Sequence, residues 1–277
     1  MITALAGGVG AAKLLRGLVE VVEPSELTVV VNVGDDVEFL GLRISPDLDI
    51  VTYTLAGVVD EEKGWGFRGD TFNCLEALRR LGVDAWLALG DMDLATHIYR
   101  TSLLKAGRRL SEVADAVRRA LGVKARVLPA TDDPLTSVVA TDRGEVSFEE
   151  FYVKHRCQLK VLGVKYVGAE RARPAPGVLE ALREAEFIVV CPSNPVVSIG
   201  PILAVRGIRE VLREAEAPVV GVSPIIAGRA VKGPAVEMMK ALGYEASAYG
   251  VAEMLSLIHI SEPTRPRLIS YAVFCLK

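Results

Sequence analysis

Five apolar runs, "ITALAG", "ELTVVVNVG", "DAWLALGD", "EFIVVCPSN" and "APVVGVSP", recur along the chain with amphipathic stretches between them. This alternation limits the fold more than any other feature. Runs that are apolar at nearly every position have no wet face, so they suit strands covered on both sides in a parallel sheet. Parallel neighbours need long crossovers, and segments such as "TFNCLEALRRLG" and "GPILAVRGIREVLREA" have the helical period to supply them. The expected architecture is α/β: a Rossmann-like, mostly parallel sheet with helices on both faces. Residues 101–168 break the rhythm with helical "SEVADAVRRALGV" and a hairpin turning at Asp142-Arg143-Gly144, and are expected to form an α+β insertion.

The last 22 residues, "SLIHISEPTRPRLISYAVFCLK", lack both periods and resemble translated sequencing adapter. The expected fold therefore spans 1–255, with 256–277 as a foreign tail outside it. Leaving out the tail's two arginines, one lysine and one glutamate takes Lys plus Arg from 32 to 29 and Asp plus Glu from 35 to 34. The formal charge moves from -3 to -5. That balance offers no basic footprint for nucleic acid. Three scattered cysteines remain, Cys74, Cys157 and Cys191, an odd set that suits a reducing compartment. Met1 leads straight into a strand-like run, and no apolar stretch approaches the roughly 20 residues of a membrane helix. A cytoplasmic protein with no membrane partner is expected.

Ligands of open α/β sheets gather beyond the strand carboxyl ends, so the loops that follow the runs are the place to look for a site. They read Gly7-Gly8-Val9-Gly10, Asn32-Val33-Gly34-Asp35-Asp36, Gly90-Asp91-Met92-Asp93, Pro192-Ser193-Asn194-Pro195 and Ser223-Pro224. Gly8 and Gly10 fit the first half of the dinucleotide pattern, but Lys13 stands where its third glycine belongs, and no Walker ending follows. Two readings stay open: an anion cradle at a helix N-terminus, or a plain tight turn. Each loop is also ordinary turn chemistry taken alone. Together, their glycines, hydroxyls and four carboxylates suit a diphosphate and a hard cation such as Mg²⁺.

Asp93, His97 and Arg100 are spaced i, i+4, i+7, so a helix beginning at Asp93 puts them on one face. That face offers a carboxylate, a proton acceptor and a phosphate clamp. The alternative is an Asp N-cap followed by a solvated His and Arg. Asp49 in "SPDLDIVTYTLAG" reads alone as an N-cap. Lys232-Gly233-Pro234 reads as a second helix start able to receive an anion. The arginines of "RRLSEVADAVRRALGV" allow a DNA-reading helix-turn-helix, against a solvated helix face.

The ordered set "GGVGAAKLLRGL", "NVGDD", "DLDIVTYTLAG", "WGFRGDTFNCLEAL", "LGDMDLATHIYRT", "ATDDPL", "FEEFYVKHRCQ", "PSNPVVSIGPIL" and "GVSPIIAGRAVKGPA" resembles the CofD family. These are the 2-phospho-L-lactate transferases of coenzyme F-420 biosynthesis, and the resemblance runs over residues 1 to 254. It implies a Rossmann-like homodimer that needs Mg²⁺. The implied partners are the deazaflavin Fo and a guanosine-diphosphate-linked lactate or enolpyruvate donor, and the products are F-420-0, or its dehydro form, and GMP. By the resemblance, Asp49, Asp91, Asp93, His97 and Arg100 carry the chemistry, and Asp35, Asp36 and Asp49 hold metal. Gly7, Gly8, Gly10, Lys13, Asn32, Ser193, Asn194, Ser223, Lys232 and Gly233 hold the nucleotide. A related group of sugar-nucleotide-binding regulators shares the glycine turn without the transferase chemistry. Family members commonly carry a basic residue where this chain has Met92, and a further helix and strand where its tail begins.

Overall fold

The computed structural model describes residues 1–255 and 273–275. β1 (Ile2–Ala6) turns into α1 (Gly8–Leu18), and β2 (Leu27–Val31) follows. A small hairpin, β3 (Val37–Phe39) with β4 (Leu42–Ile44), leads to α2 (Pro46–Leu55), α3 (Asn73–Arg80), α4 (Asp91–Lys105) and α5 (Leu110–Ala120). Next come β5 (Arg126–Pro129), β6 (Thr136–Thr141), β7 (Gly144–Ser147), β8 (Val161–Val167), α6 (Val178–Arg183) and β9 (Phe187–Val190). α7 (Gly200–Ala204), α8 (Ile208–Glu214) and β10 (Val219–Val222) follow, then the ribbon of β11 (Ile225–Ile226) and β12 (Arg229–Ala230). α9 (Ala235–Ala241), α10 (Ala248–Leu255) and β13 (Val273–Cys275) complete the described elements.

The central sheet runs β13-β10-β9-β1-β2-β5 and is parallel except at β13. From β1 the chain steps one way to β2 and β5, then returns to add β9 and β10 on the other side. Right-handed crossovers then place the helices on opposite faces. α1 packs on α2 while α6 packs on α8, as expected for a layered α/β fold. All five residues of β2 are buried, as are Ala4, Leu5 and Ala6 of β1. Each such Val or Leu contributes about 1.5–3 kcal/mol relative to exposure. The one hydroxyl in β1 is matched, since Thr3 Oγ1 donates to the Ala181 carbonyl at 2.7 Å. The reversal of strand order beside β1 creates the crevice where ligands of such sheets bind.

Three expectations change. "DAWLALGD" joins no sheet: Ala85, Leu87 and Leu89 are buried at alternate positions, and the two leucines pack with Phe39 and Ile44 beside the β3–β4 hairpin. The fifth parallel strand is instead β5, "RVLP", inside the stretch read as an insertion, and α5 covers it. The real departure is thus the antiparallel sheet β7-β6-β8, whose β6–β7 turn does fall at Asp142–Arg143. The third change concerns the tail. Val273–Cys275 adds an antiparallel edge to β10, because a free strand edge pairs through backbone groups that ask little of side-chain identity. The remainder of 256–277 lies outside the described residues.

Candidate active site at the sheet switch point

The loops after β1, β2 and β9 meet where the strand order reverses. Gly7, the N-cap of α1, donates its N–H to Ser193 Oγ at 3.3 Å, and Ser193 Oγ donates back to the Gly7 carbonyl at 3.1 Å. A Cβ on Gly10 would stand 2.1 Å from the Pro192 carbonyl oxygen, and one on Gly7 2.4 Å from Ser198 Cβ. The glycines are there because two backbones approach too closely for any side chain. The first N–H of α1 is also occupied from within the chain, since Gly8 donates to the Asp47 carboxylate. The turn is therefore partly self-capped. Lys13 is exposed on α1 and close enough to Lys232 to oppose its charge, and Lys232 Nζ lies beside Gly64 and Val9. These two cations stand over the turn.

Asn32 ties the crevice together. Its Nδ2 faces Asp47 Oδ2 at 2.9 Å, Asp35 Oδ2 at 3.1 Å and the Val197 carbonyl at 3.1 Å, while its Oδ1 accepts the Gly34 N–H at 2.8 Å. Around it lie four buried carboxyls, Asp35, Asp36, Asp47 and Glu149. Burial lifts Asp35 well above the carboxylate range, helped by the charges of Asp47, Glu149 and Asp36. Burial also raises Asp36 and Asp47 to about 6 and Glu149 to about 8. Asp36 Oδ2 accepts from Arg43 and Ser45, which is why Ser45 precedes α2 without capping it. Asp35 Oδ1 and Asp36 Oδ1 are buried with no partner.

A second cluster spans α2 and α4. Asp49 is not an N-cap. It lies inside α2, and both its oxygens are held by Arg100, one at 3.0 Å from Nη1 and the other in a short contact with Nη2. α4 begins at Asp91, two residues before the expected start, yet the face carrying Asp93, His97 and Arg100 is real and buried. Its chemistry differs from the expected one. Arg100 is consumed by Asp49, so it is an internal tie between α2 and α4 and no free phosphate clamp. His97 Nδ1 lies 3.1 Å from Arg100 Nη1, which can only donate, so Nδ1 accepts and Nε2 carries the proton. Burial pushes His97 down to about 4. It is a neutral donor whose Nε2 has no partner, where a proton acceptor was expected.

The remaining carboxylates divide cleanly. Asp91 accepts from Thr71 Oγ1 at 2.6 Å, the Asn73 N–H and side chain at 3.1 and 2.9 Å, and the Cys74 N–H at 3.0 Å. Those bonds, the Thr71 hydroxyl foremost, hold it down to about 2 and pin the start of α3. Asp70 accepts the Met92 N–H at 2.9 Å and the Asp93 N–H at 3.2 Å, capping α4. Asp93 itself faces the Tyr53 hydroxyl, and burial followed by the charge of Asp49 raises it to about 7.

Among the other candidates, Asn194 Oδ1 accepts the Val196 and Val197 N–H groups and starts the π-helical turn Pro195–Ile199. The Ser223 hydroxyl is used by its own turn, accepting from Ile225 N–H at 3.0 Å. Gly233 has a φ of +73° and lines, with Phe151, Leu159, Lys160 and Lys240, a cleft of about 670 Å³. It precedes the seven-residue α9, which starts one residue after Pro234. Met92 is exposed. α5 buries Leu110, Val113 and Val117 and packs on β5 as a crossover helix, and the arginines in and just before it pair with Glu112 and Asp115. Sequence reasoning missed Asp47, Asp70, Tyr53 and Glu149. All four stand inside stretches that carry the family resemblance, "DLDIVTYTLAG", "WGFRGDTFNCLEAL" and "FEEFYVKHRCQ", but turn chemistry and helical spacing singled out none of them.

No three His, Cys, Asp or Glu side chains among the described residues converge in metal-binding geometry, so Asp35, Asp36 and Asp49 do not form the expected trio. Comparison with known proteins decides the lineage. The family profile described as "2-phospho-L-lactate transferase CofD" matches residues 2–271. The chain belongs to the CofD family. A 2-phospho-L-lactate transferase of Methanopyrus kandleri is 48% identical over 253 residues, covering 91% of this chain and 80% of that protein. A phosphoenolpyruvate transferase of Streptomyces coelicolor is 47% identical over 257 residues, covering 91% and 81%. The fold of this CofD member is shared with a UPF0052 family protein of Bacillus halodurans at TM-score 0.54 and 21% identity, over 78% of this chain and 66% of that one.

Proposed function

We propose that this CofD-family chain transfers a 2-phospholactyl or phosphoenolpyruvyl group from a guanosine-diphosphate-linked donor to a ribityl hydroxyl of the deazaflavin Fo, releasing GMP. The observation that carries this reading is identity of 47–48% over 91% of the chain to relatives named for those two transfers. The switch-point geometry supports it: a glycine turn, two adjacent lysines and a crevice lined by carboxyls.

Such transfers ask the protein mainly for positioning and charge neutralisation. Lys13, Lys232 and the unbonded N–H groups at the start of α1 would receive the diphosphate, with Ser193 and Asn194 fixing the loop beneath it. The expected Mg²⁺ fits the unpartnered Asp35 Oδ1 and Asp36 Oδ1, since magnesium is often held by two carboxylates plus substrate phosphates. Asp49 does not fit, because Arg100 holds both its oxygens. When bound, the ion would neutralise phosphate charge. The Asp49–Arg100 tie fixes α4 against α2, and His97 Nε2 is left as a buried donor for a substrate oxygen.

The test is to incubate the full chain with Fo, Mg²⁺ and each guanylyl-linked donor, following GMP release and F-420-0 or dehydro-F-420-0 formation. Product establishes the transfer and names the donor. Tight nucleotide binding without product, in a folded protein, establishes the nucleotide-binding regulator instead.

A further inference from the structure

The cleft of about 670 Å³ between α9 and the segment leading into β8 has no part in the site described so far. Its size is that of a small-molecule pocket, about 300–1,000 Å³. Phe151 and Leu159 are buried along one wall, and Pro234 and Ala241 line it from the α9 side. These apolar walls suit a flat ring. Among the described residues its charged lining groups are Glu237 and Lys240 from α9 and Lys160 from the opposite wall. All three are exposed, and their side chains make no hydrogen bond or ion pair among those residues. Glu237 faces Cys157 across the gap, and its charge, after burial, helps push that thiol up to about 11. Arg156 and Cys157 hold this wall at φ values of +50° and +57°, a strained backbone of the kind that gathers at ligand sites.

The cleft adjoins the glycine turn through α9. Gly233 lines the cleft, and the preceding Lys232 stands over the turn with its Nζ beside Gly64 and Val9. Met238 of α9 places its Sδ 3.7 Å from Asn194 Nδ2, in the loop that Ser193 bonds to Gly7. A nucleotide with its phosphates on the turn can run past Gly233, where no side chain intervenes, into the cleft.

We propose that this cleft receives the guanine base of the donor and that Glu237 reads it, accepting the N1–H and the exocyclic N2–H of the ring together. The assignment rests on the transferase reading above and adds the place where its nucleotide ends. The two donors of guanine stand side by side, a fork that one carboxylate accepts bidentately. Its O6 and N7 are acceptors, which suit the ammonium groups of Lys160 and Lys240. Adenine turns an acceptor nitrogen to the same carboxylate, and the pyrimidinedione of a deazaflavin brackets its one N–H with two carbonyls. Either would press lone pairs against Glu237, so the charges of the cleft favour the donor's base over the acceptor's ring.

The experiment measures dissociation constants of GDP, IDP, ADP, XDP and pyrophosphate in Mg²⁺ buffer for the full chain and its Glu237→Gln variant. In parallel, alkylation of Cys157 by iodoacetamide is followed by peptide mass with and without each ligand and Fo. IDP lacks the N2 amine, and XDP carries a carbonyl in its place. Wild type should bind GDP about 10–100-fold more tightly than IDP, the range for a lost hydrogen bond to a charged group, and ADP more weakly still. Glu237→Gln should hold pyrophosphate within about threefold yet prefer XDP to GDP, because its amide donates to the new carbonyl while its oxygen still accepts the N1–H. A damaged fold cannot produce that reversal. GDP should also slow the alkylation of Cys157.

GDP bound by wild type with Cys157 alkylated at the free rate overturns the proposal, and so does a Glu237→Gln variant that keeps the wild-type order of bases. Protection of Cys157 by Fo and not by GDP gives the cleft to the acceptor and overturns it as well. In each of those cases a wild type that makes product leaves the transferase reading standing. No binding of millimolar GDP by wild type overturns the proposal and the donor reading together.

Discussion

At the residue scale, two glycines of α1 separate close approach from ordinary helix propensity. A methyl on Gly10 meets the Pro192 carbonyl at 2.1 Å, whereas one on Gly17 meets nothing within 4 Å. Alanine favours a helix over glycine by roughly 0.5–1 kcal/mol at either site. At Gly10 the clash is with backbone held between β9 and its loop, and overpacking of that kind costs about 1–3 kcal/mol. Urea unfolding should therefore show Gly10→Ala destabilised and Gly17→Ala slightly stabilised. Glu149 makes a second residue-scale case. Its folded pKa of about 8 exceeds the ordinary glutamate value near 4.5. The folded state then binds the proton more tightly, and this stabilising term is present below pH 4.5 and lost as pH rises to 8. In metal-free buffer the melting temperature of wild type should fall across pH 5–8 more steeply than that of Glu149→Gln. A parallel pair of curves would show that Glu149 ionises without cost. Glu149 was not legible beforehand, and at Gly10 the spacing left an anion cradle and a plain tight turn both open, because the close contact with Pro192 comes from a segment far along the chain.

At the element scale, α4 shows how one helix serves two purposes. Its i, i+4, i+7 face was readable because helical geometry alone puts Asp93, His97 and Arg100 together. Their roles were not readable, because partners on α2 decide them: Asp49 takes Arg100, and Arg100 then sets the His97 tautomer. Asp91 shows the reverse. It sits two residues from Asp93 in the same acidic loop, yet four hydrogen bonds commit it to the start of α3. Asp91→Ala should therefore lower the melting temperature while leaving kcat within a few-fold. A loss of kcat of about 100-fold or more, at unchanged melting temperature, would return Asp91 to the reacting centre. The same logic explains "DAWLALGD": its alternating burial is that of a strand, but its neighbours are the side chains of a hairpin, so no ladder forms.

At the scale of the whole molecule, the site exists because the order of strands reverses at β1, bringing Gly7 against Ser193 and Asn32 against Val197. A ligand bridging those loops joins both halves of the sheet, so it should stabilise the entire fold. GDP at one hundred times its dissociation constant is expected to add about 2.7 kcal/mol to unfolding. A melting temperature unmoved by millimolar GDP, with or without Mg²⁺, would count against the donor reading. The sequence by itself determined the layered α/β class, the strand ends that carry the glycine, Asn-Asp and Ser-Asn loops, and the shared face of α4. Those features depend on local periodicity and turn chemistry, which neighbours in the chain supply. Only the tertiary structure decided that β5 completes the sheet, that Asp49 and Arg100 neutralise each other, and that Asp91 and Asp70 are caps. Each of those outcomes depends on which distant group reaches a buried charge first, and burial makes that pairing decisive because an unpaired charge out of water is so costly.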